Sequence, residues 1–361
     1  MITDNGENRF VFQTFPYLSS AMTDEIYMQR ALELARIGIG QVSPNPRVGC
    51  VIVHGDQIIG EGWHQQYGMP HAEVNALAAV KDESLLSQST VYVNLEPCSH
   101  HGKTPPCADL LIRKKIARVV IANLDTNPQV SGEGIKKLRQ AGIEVVTGVC
   151  AADGRELNKR FFTWMEKKRP FILLKWAETV DGFIARKNFE SKWISSDYSR
   201  QWVHRWRSEE DAILVGSTTA KLDNPTLNVR DWSGRSPVRI VLDRFLRLNE
   251  GLNLFDHTQP TLCYNVLRHE EHPNLIRVRV DEQDFLQQVI HDLYKRNLQS
   301  VMVEGGTQTL QRFIDAGLWD EACIFRSMQS FGKGIAAPVI RGKRLPETAC
   351  GEDSLVRILP E

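Results

Sequence analysis

No excess of either charge marks this sequence. Its 44 Lys and Arg residues balance its 44 Asp and Glu residues, whereas a nucleic-acid-binding domain carries a basic excess. No apolar run approaches the ~20 residues of a membrane span. The first 21 residues lack a basic start followed by an apolar run, so no secretory signal is expected there. Cysteines number seven, an odd count without disulfide-like spacing, which points to a reducing, cytoplasmic compartment. The dinucleotide fingerprint Gly-x-Gly-x-x-Gly is missing, as are internal repeats and low-complexity segments. At 361 residues the chain has room for two domains of ordinary size.

What is present concentrates between His71 and Cys107. His71-Ala72-Glu73 opens a helix-like run, a strand-like run follows over 90–95, and then come Pro97-Cys98 and, nine positions on, Cys107. Alone, His71 reads as a helix-start residue, Glu73 as a solvated first-turn acid, and each cysteine as a buried thiol. Together, one imidazole and two thiolates give zinc three ligands and leave the fourth tetrahedral corner open for water, which separates a catalytic zinc from a structural one. Bound zinc lowers the pKa of its water to about 7. Glu73, beside a ligand but not needed as one, stands where zinc-dependent amine hydrolysis places its proton shuttle, although base deaminases usually read Pro-Cys-x-x-Cys.

Around this stretch, periodicity predicts a helix from Thr23, a hairpin of strands over 48–53 and 57–63, and a helix over 71–80. A strand over 90–95, a helix over 108–113, a strand over 118–122, a helix over 133–140 and a strand over 143–147 follow. That alternation implies a mixed, largely parallel sheet with helices on both faces, in which ligands bind beyond the carboxyl ends of strands. A basic run and a proline at Glu166-Lys167-Lys168-Arg169-Pro170 read as a solvated linker. They set the expected domains: an extension over 1–23 with Met22 as an alternative start, a first domain over 24–168 and a second over 169–361. In the second, strands are expected over 171–176, 211–215, 238–242, 261–264, 300–304 and 322–325, with helices over 197–207, 282–296 and 308–315. There Val301-Met302-Val303 runs into Glu304-Gly305-Gly306-Thr307 and a helix. Paired glycines let backbone N–H groups approach an anion at a helix start, yet glycines also make plain strand-to-helix turns. The pattern alone leaves both readings open.

Two rivals compete with a small-molecule deaminase. A tRNA or DNA base deaminase shares His-x-Glu and Pro-Cys, but the neutral charge and the wide gap from Cys98 to Cys107 speak against it. A structural zinc module needs a fourth ligand, such as His100, His101 or Cys50.

The motifs resemble the bifunctional deaminase/reductase family of riboflavin biosynthesis. In the first half these are Pro44-Asn45-Pro46-x-Val48-Gly49, His64, His71-Ala72-Glu73-Val74, the run from Glu96 to Cys107, Asp125-x-Asn127-Pro128 and Gly132-x-Gly134. In the second they are Lys175-x-Ala177-x-x-x-Asp181-Gly182, Ser191-x-Trp193-Ile194, Asp223-Asn224-Pro225-x-Leu227 and Glu304-Gly305-Gly306. The resemblance implies an α/β architecture, with an N-terminal cytidine-deaminase-like three-layer domain and a C-terminal dihydrofolate-reductase-like domain. It implies that the first domain hydrolyses the 2-amino group of a diamino-ribosylaminopyrimidinone 5′-phosphate. The second would then reduce the ribosyl group to ribityl with NADPH.

Carried over, His71, Cys98 and Cys107 bind zinc, Glu73 moves protons, Asn45 holds the pyrimidine edge, and His64 and Lys103 help bind phosphate. Ala177, Trp193, Thr219, Asp223 and the segment Gly306, Thr307, Gln308, Thr309, Leu310 match NADPH positions. Ser191, Arg207, Leu227, Arg230 and Glu304 match substrate positions, with the two arginines as phosphate partners. Taken alone, Arg207 reads as a surface helix residue and Trp193 as core packing. The implied partners are small phosphorylated pyrimidines, with no nucleic acid or membrane, in a cytoplasmic homo-oligomer, dimer or tetramer. The chain departs from the family where Asp125-Thr126-Asn127-Pro128 stands for Asp-Pro-Asn-Pro, and where Phe325-Arg326-Ser327-Met328-Gln329-Ser330 replaces an apolar Ala-Pro-Lys-type run.

Overall fold

Val51 and Val53 alternate with Cys50 and Ile52 along one strand, and the two pairs pack into different clusters on opposite faces. A period of two is what a sheet covered on both sides requires. The structure, a computed structural model, describes residues 20–100, 105–126, 131–188 and 194–361. Its first half runs α1 (Ser20–Ile37), β1 (Gly49–His54), β2 (Gln57–Trp63), α2 (Ala72–Ala78), β3 (Thr90–Leu95), α3 (Cys107–Arg113), β4 (Arg118–Asn123), α4 (Glu133–Gln140), β5 (Glu144–Thr147), α5 (Ala151–Leu157) and α6 (Lys159–Lys167). The sheet is ordered β2-β1-β3-β4-β5, antiparallel around β1 and parallel from β3 to β5.

Cys50, Ile52, Val91, Val93, Val119 and Ile121 pack against α2, α3 and α4, while Val51, Val53, Tyr92 and Val120 pack against α1. This is the three-layer arrangement expected. Gly60 and Gly62 let α2 close onto β2: a Cβ at either would lie 2.4 or 2.3 Å from the backbone of Ala76. Any larger residue would lift α2, which follows His71 directly, off the sheet.

The second half runs β6 (Phe171–Thr179), β7 (Phe183–Arg186), α7 (Asp197–Glu209), β8 (Ala212–Gly216), α8 (Ser217–Asp223), β9 (Val238–Leu242), β10 (Thr261–Asn265), β11 (Glu270–His272), β12 (Leu275–Arg279), α9 (Phe285–Lys295), β13 (Ser300–Val303), α10 (Thr307–Asp315), β14 (Glu321–Ser327), β15 (Gly334–Ala336), β16 (Lys343–Arg344), β17 (Thr348–Cys350) and β18 (Asp353–Leu359). The main sheet is ordered β11-β12-β10-β9-β8-β13-β6-β14-β18-β16, with β17 also on β18. From β12 to β14 in that order the strands are parallel, and the outer pairings are antiparallel. Ile172, Leu174 and Trp176 of β6 face α9 and α10, whereas Phe171 and Leu173 face the layer that includes Ala220 of α8. Burial on both faces explains why β6 starts as an unbroken apolar run.

Three expectations need correction. The helix expected from Thr23 already starts at Ser20, and the one expected from 282 starts at Phe285, after Asp284 adopts φ 52°. The run at 166–169 is solvated over Glu166 to Lys168 but is no free linker: Lys167 closes α6, and Lys167 and Arg169 both pair with the buried Asp320 carboxylate, at 2.8 and 2.5 Å. The helix leading into it, α6, is docked on the second half. Lys159 meets Glu321 at 2.7 Å, Arg160 meets the fully buried Glu210, and the Trp164 and Tyr294 rings lie 4.9 Å apart. The unusual segment at 325–330 leaves β14 intact, with Phe325 buried and Arg326 paired to Glu178 at 2.9 Å.

Candidate active sites

The first site forms where β3 ends and two short helices begin. His71 directly precedes α2 with its side chain unused as a cap, and Cys107 is the first residue of α3. Cys98 lies three residues past β3. Their donor atoms lie within 4.8 Å of one another: Cys98 Sγ is 3.6 Å and Cys107 Sγ 3.4 Å from His71 Nδ1. The Cys107 N–H donates to Cys98 Sγ at 3.3 Å, favouring charge on that sulfur. The thiol–thiol contact pulls Cys98 down to about 4 and pushes Cys107 up. One borderline imidazole and two close, soft thiols fit a zinc ion, and among the described residues the cluster comprises these three.

Glu73 points into the same place and is nearly fully buried. Burial raises its carboxyl to about 7, with the Cys98 charge adding and His71 opposing. Asn45 Nδ2 donates to His64 Nε2 at 3.0 Å, and His64 Nδ1 lies 3.1 Å from the Pro70 carbonyl. Those contacts assign the proton to Nδ1 and leave a neutral ring. Burial lowers the His64 pKa, so the ring is poorly placed to meet a phosphate as a cation. Lys103 lies outside the described residues.

Glu96 carried no role in the sequence reading beyond its place in a motif. The structure buries it, and its carboxylate accepts N–H bonds from Asp125, Gly132, Gly134 and Ile135 at 3.0 to 3.3 Å. Gly134 is needed because a Cβ there would lie 2.2 Å from the Pro97 carbonyl. Glu96 thereby ties α4 to the loop that carries Cys98. A buried acid followed by Pro-Cys and a distant Gly-x-Gly was the available signal.

The second site is a cleft of about 1270 Å³ at the carboxyl ends of the parallel strands. Ala177, Arg207, Thr219, Asp223, Arg230, Glu304, Gly306, Thr307, Gln308 and Thr309 all line it. Leu227 and Leu310 do not: both side chains are buried in the core beneath, so any ligand contact from them runs through backbone. Ser191 and Trp193 lie outside the described residues. The Gly306 N–H donates to Thr219 Oγ1 at 3.1 Å, so protein already satisfies one amide of the expected phosphate turn. Arg207 is also engaged, forking onto Glu304 with both contacts at 2.9 Å and reaching the Asn228 carbonyl at 3.3 Å. Burial works to raise the Glu304 carboxyl, but Arg207 and Lys175 outweigh it and hold it down to about 2. Arg230, half-exposed, is the freer arginine, 3.6 Å from Asp231.

Two cleft residues were missed as site residues. Lys175 sits on β6 with its pKa lowered by burial, against the pull of Glu304. His204 sits on α7, where its Nδ1 accepts the Arg230 N–H at 3.4 Å and its Nε2 lies 3.1 Å from Asp231. A lysine inside an apolar strand was a visible signal, but a histidine on an amphipathic helix was not.

Comparison with known proteins finds relatives over both halves of the chain. The family described as RibD C-terminal domain matches residues 170–357, and the cytidine and deoxycytidylate deaminase zinc-binding region matches residues 21–123. The riboflavin biosynthesis protein RibD of Aquifex aeolicus is 41% identical over 319 residues, covering 87% of this chain and 89% of that protein. A Thermotoga maritima diaminohydroxyphosphoribosylaminopyrimidine deaminase/5-amino-6-(5-phosphoribosylamino)uracil reductase is 38% identical, with a TM-score of 0.87 over 94% of this chain and 99% of its own. Acinetobacter baumannii RibD, 33% identical, has a TM-score of 0.87 over the same shares. The chain belongs to the RibD family of riboflavin-biosynthesis proteins.

Proposed function

We propose that the chain catalyses two consecutive steps on a phosphorylated pyrimidine: hydrolytic deamination of 2,5-diamino-6-ribosylamino-4(3H)-pyrimidinone 5′-phosphate, then reduction of 5-amino-6-(5-phosphoribosylamino)uracil with NADPH. The observation that carries this is one chain holding both the His71, Cys98, Cys107 and Glu73 cluster and a separate large cleft ending at Glu304. His71, Cys98 and Cys107 would hold zinc, which when bound would supply a Lewis acid that makes hydroxide available near neutral pH. Glu73 takes a proton from the attacking water and passes it to the departing amine. A C–O bond forms at C2 as the C–N bond breaks, and ammonia leaves. Asn45 holds the pyrimidine edge, and His64 fixes the rotamer of its amide. A buried carboxylate beside the ligands is suited to this shuttle because it exchanges protons without water competing.

NADPH bound in the cleft would supply a hydride to C1′ as the C1′–O4′ bond opens and O4′ takes a proton, which brings the ribosyl group to the ribityl level. Ala177, Thr219, Asp223 and the Gly306 to Thr309 segment form the cleft wall, and Leu310, buried beneath, would meet the cofactor through its backbone. Ser191 and Leu227 remain proposed substrate contacts. The Arg207–Glu304 fork shapes the floor, so Arg230 and Lys175 are the cations best placed for the substrate phosphate, with Lys103 and Trp193 completing the two sites. The proposal includes a homo-oligomer, dimer or tetramer, which sedimentation velocity tests. Free thiols at all seven cysteines support a cytoplasmic setting. Among the described residues no helix is long and apolar enough to cross a membrane.

The test supplies the diamino pyrimidinone with and without NADPH, following ammonia and NADPH absorbance separately. Ammonia in both reactions, with NADPH consumed where it is present, supports the proposal. Ammonia that appears only with NADPH, or NADPH left untouched, contradicts it.

A further inference from the structure

The loop that presents Asn45 to the first site is held from the second half of the chain. Ser43 Oγ donates to Asp211 Oδ2 at 2.8 Å, and Gln299 Nε2 donates to the Pro44 carbonyl at 2.6 Å. Asp211 and Gln299 are both 4% exposed, and the Gln299 N–H itself donates to Asp211 Oδ2 at 2.8 Å. The Asp211 N–H donates to Ser300 Oγ at 3.0 Å, and its carboxylate also pairs with Arg235. Gly40, at φ 77°, packs its backbone so close to α7 that a Cβ would lie 2.6 Å from the Ser208 carbonyl. On its other side the loop is closed by Asn45 N–H to Val42 at 2.8 Å and by the Arg47 N–H to Asn158 at 2.8 Å. Asn45 therefore sits between a fixed seam and His64.

We propose that Gln299 and Asp211, residues of the reductase half, are positioning residues for the deaminase: they set the Ser43-Pro44 backbone and through it the Asn45 amide that meets the pyrimidine. This rests on the reading of Asn45 as a substrate contact. Buried side-chain bonds to a loop carbonyl and hydroxyl fix its place more firmly than the exposed loop could alone. The deaminase site is thus completed across the seam, while Gln299, just before β13, lies at the opposite end of that strand from Glu304.

Zinc-loaded full-length Gln299→Ala, Gln299→Glu, Ser43→Ala and Asn45→Ala, and the Gln299→Ala/Asn45→Ala pair, test this. Gln299→Glu keeps the shape but removes the donor, and Ser43→Ala loosens the loop without touching β13. Gln299→Ala and Gln299→Glu are each expected to raise KM for ammonia release about three- to tenfold. The kcat should stay within about twofold, the pattern of lost ground-state positioning. Zinc content and NADPH oxidation of deaminated substrate should match the parent. In the Asn45→Ala background, Gln299→Ala should add no further rise, because both act through one amide. If Asn45→Ala raises KM but Gln299→Ala and Ser43→Ala do not, or if the Gln299 and Asn45 effects multiply, the positioning role is overturned. If Asn45→Ala leaves KM unchanged, the reading of Asn45 fails first and takes this inference with it.

Discussion

His71, Cys98 and Cys107 come from a helix start, a loop and a second helix start, so each removal leaves two donors for a metal that holds poorly on two. Cys98→Ala and Cys107→Ala are each expected to lose zinc, read by elemental analysis, and to release no ammonia. Near-stoichiometric zinc with normal turnover in either variant would dismiss the ligand set. Glu73→Gln separates metal from proton transfer: it should retain zinc while ammonia release falls roughly 10²- to 10⁴-fold. Metal loss in that variant would instead make Glu73 a ligand. In the cleft, His204 offers a pH test. Burial lowers its pKa from 6.5 to about 4, with Arg207 and Arg230 adding and Asp231 and Glu304 opposing. Between those values the unfolded chain binds the proton that the folded chain refuses, so stability falls as pH drops from 6.5 towards 4 and levels off below. Denaturant midpoints measured across that window should show a shallower slope in His204→Gln; an unchanged slope would mean His204 does not titrate as its surroundings imply.

At the scale of elements, α6 carries the seam. Its Arg160 forks onto Glu210, whose carboxylate is fully buried, so Arg160→Met strands a charge and should cost about 3–5 kcal/mol of unfolding free energy. Arg160→Met combined with Glu210→Leu should recover most of that loss in urea unfolding; a double variant as unstable as the single would show that packing, not charge, matters there. This helix was not legible in the sequence. Cys150 and Lys168, which bracket α5 and α6, adopt left-handed φ of 54° and 53° without being glycines, so the residue types announce no boundary. The basic run at the end of α6 reads as a linker because its acid, Asp320, lies some 150 positions away. Strands such as β6, β8 and β13 were legible because burial on both faces writes apolar runs. The edge strands β15, β16 and β17 span two or three residues and carry no period to detect. The zinc set was readable for the same local reason: its residues fall within one stretch. Lys175, His204 and Gln299 meet their partners only through the folded sheet, which no spacing records.

At the scale of the whole molecule, two sheets share a seam of charge pairs, yet none of the zinc cluster lines the cleft. Two chemistries at separate sites on one chain follow from that separation. The most direct measurement is a crossed assay of folded, zinc-loaded Glu73→Gln and Arg230→Ala on the diamino substrate and on its already deaminated product. Glu73→Gln is predicted to release almost no ammonia from the first while oxidising NADPH with the second as the parent does. Arg230→Ala is predicted to release ammonia normally while its kcat/KM for reduction falls roughly ten- to hundredfold, the worth of one charge-assisted phosphate contact. If folded Glu73→Gln fails to oxidise NADPH with the deaminated substrate, one site serves both reactions and the account is wrong.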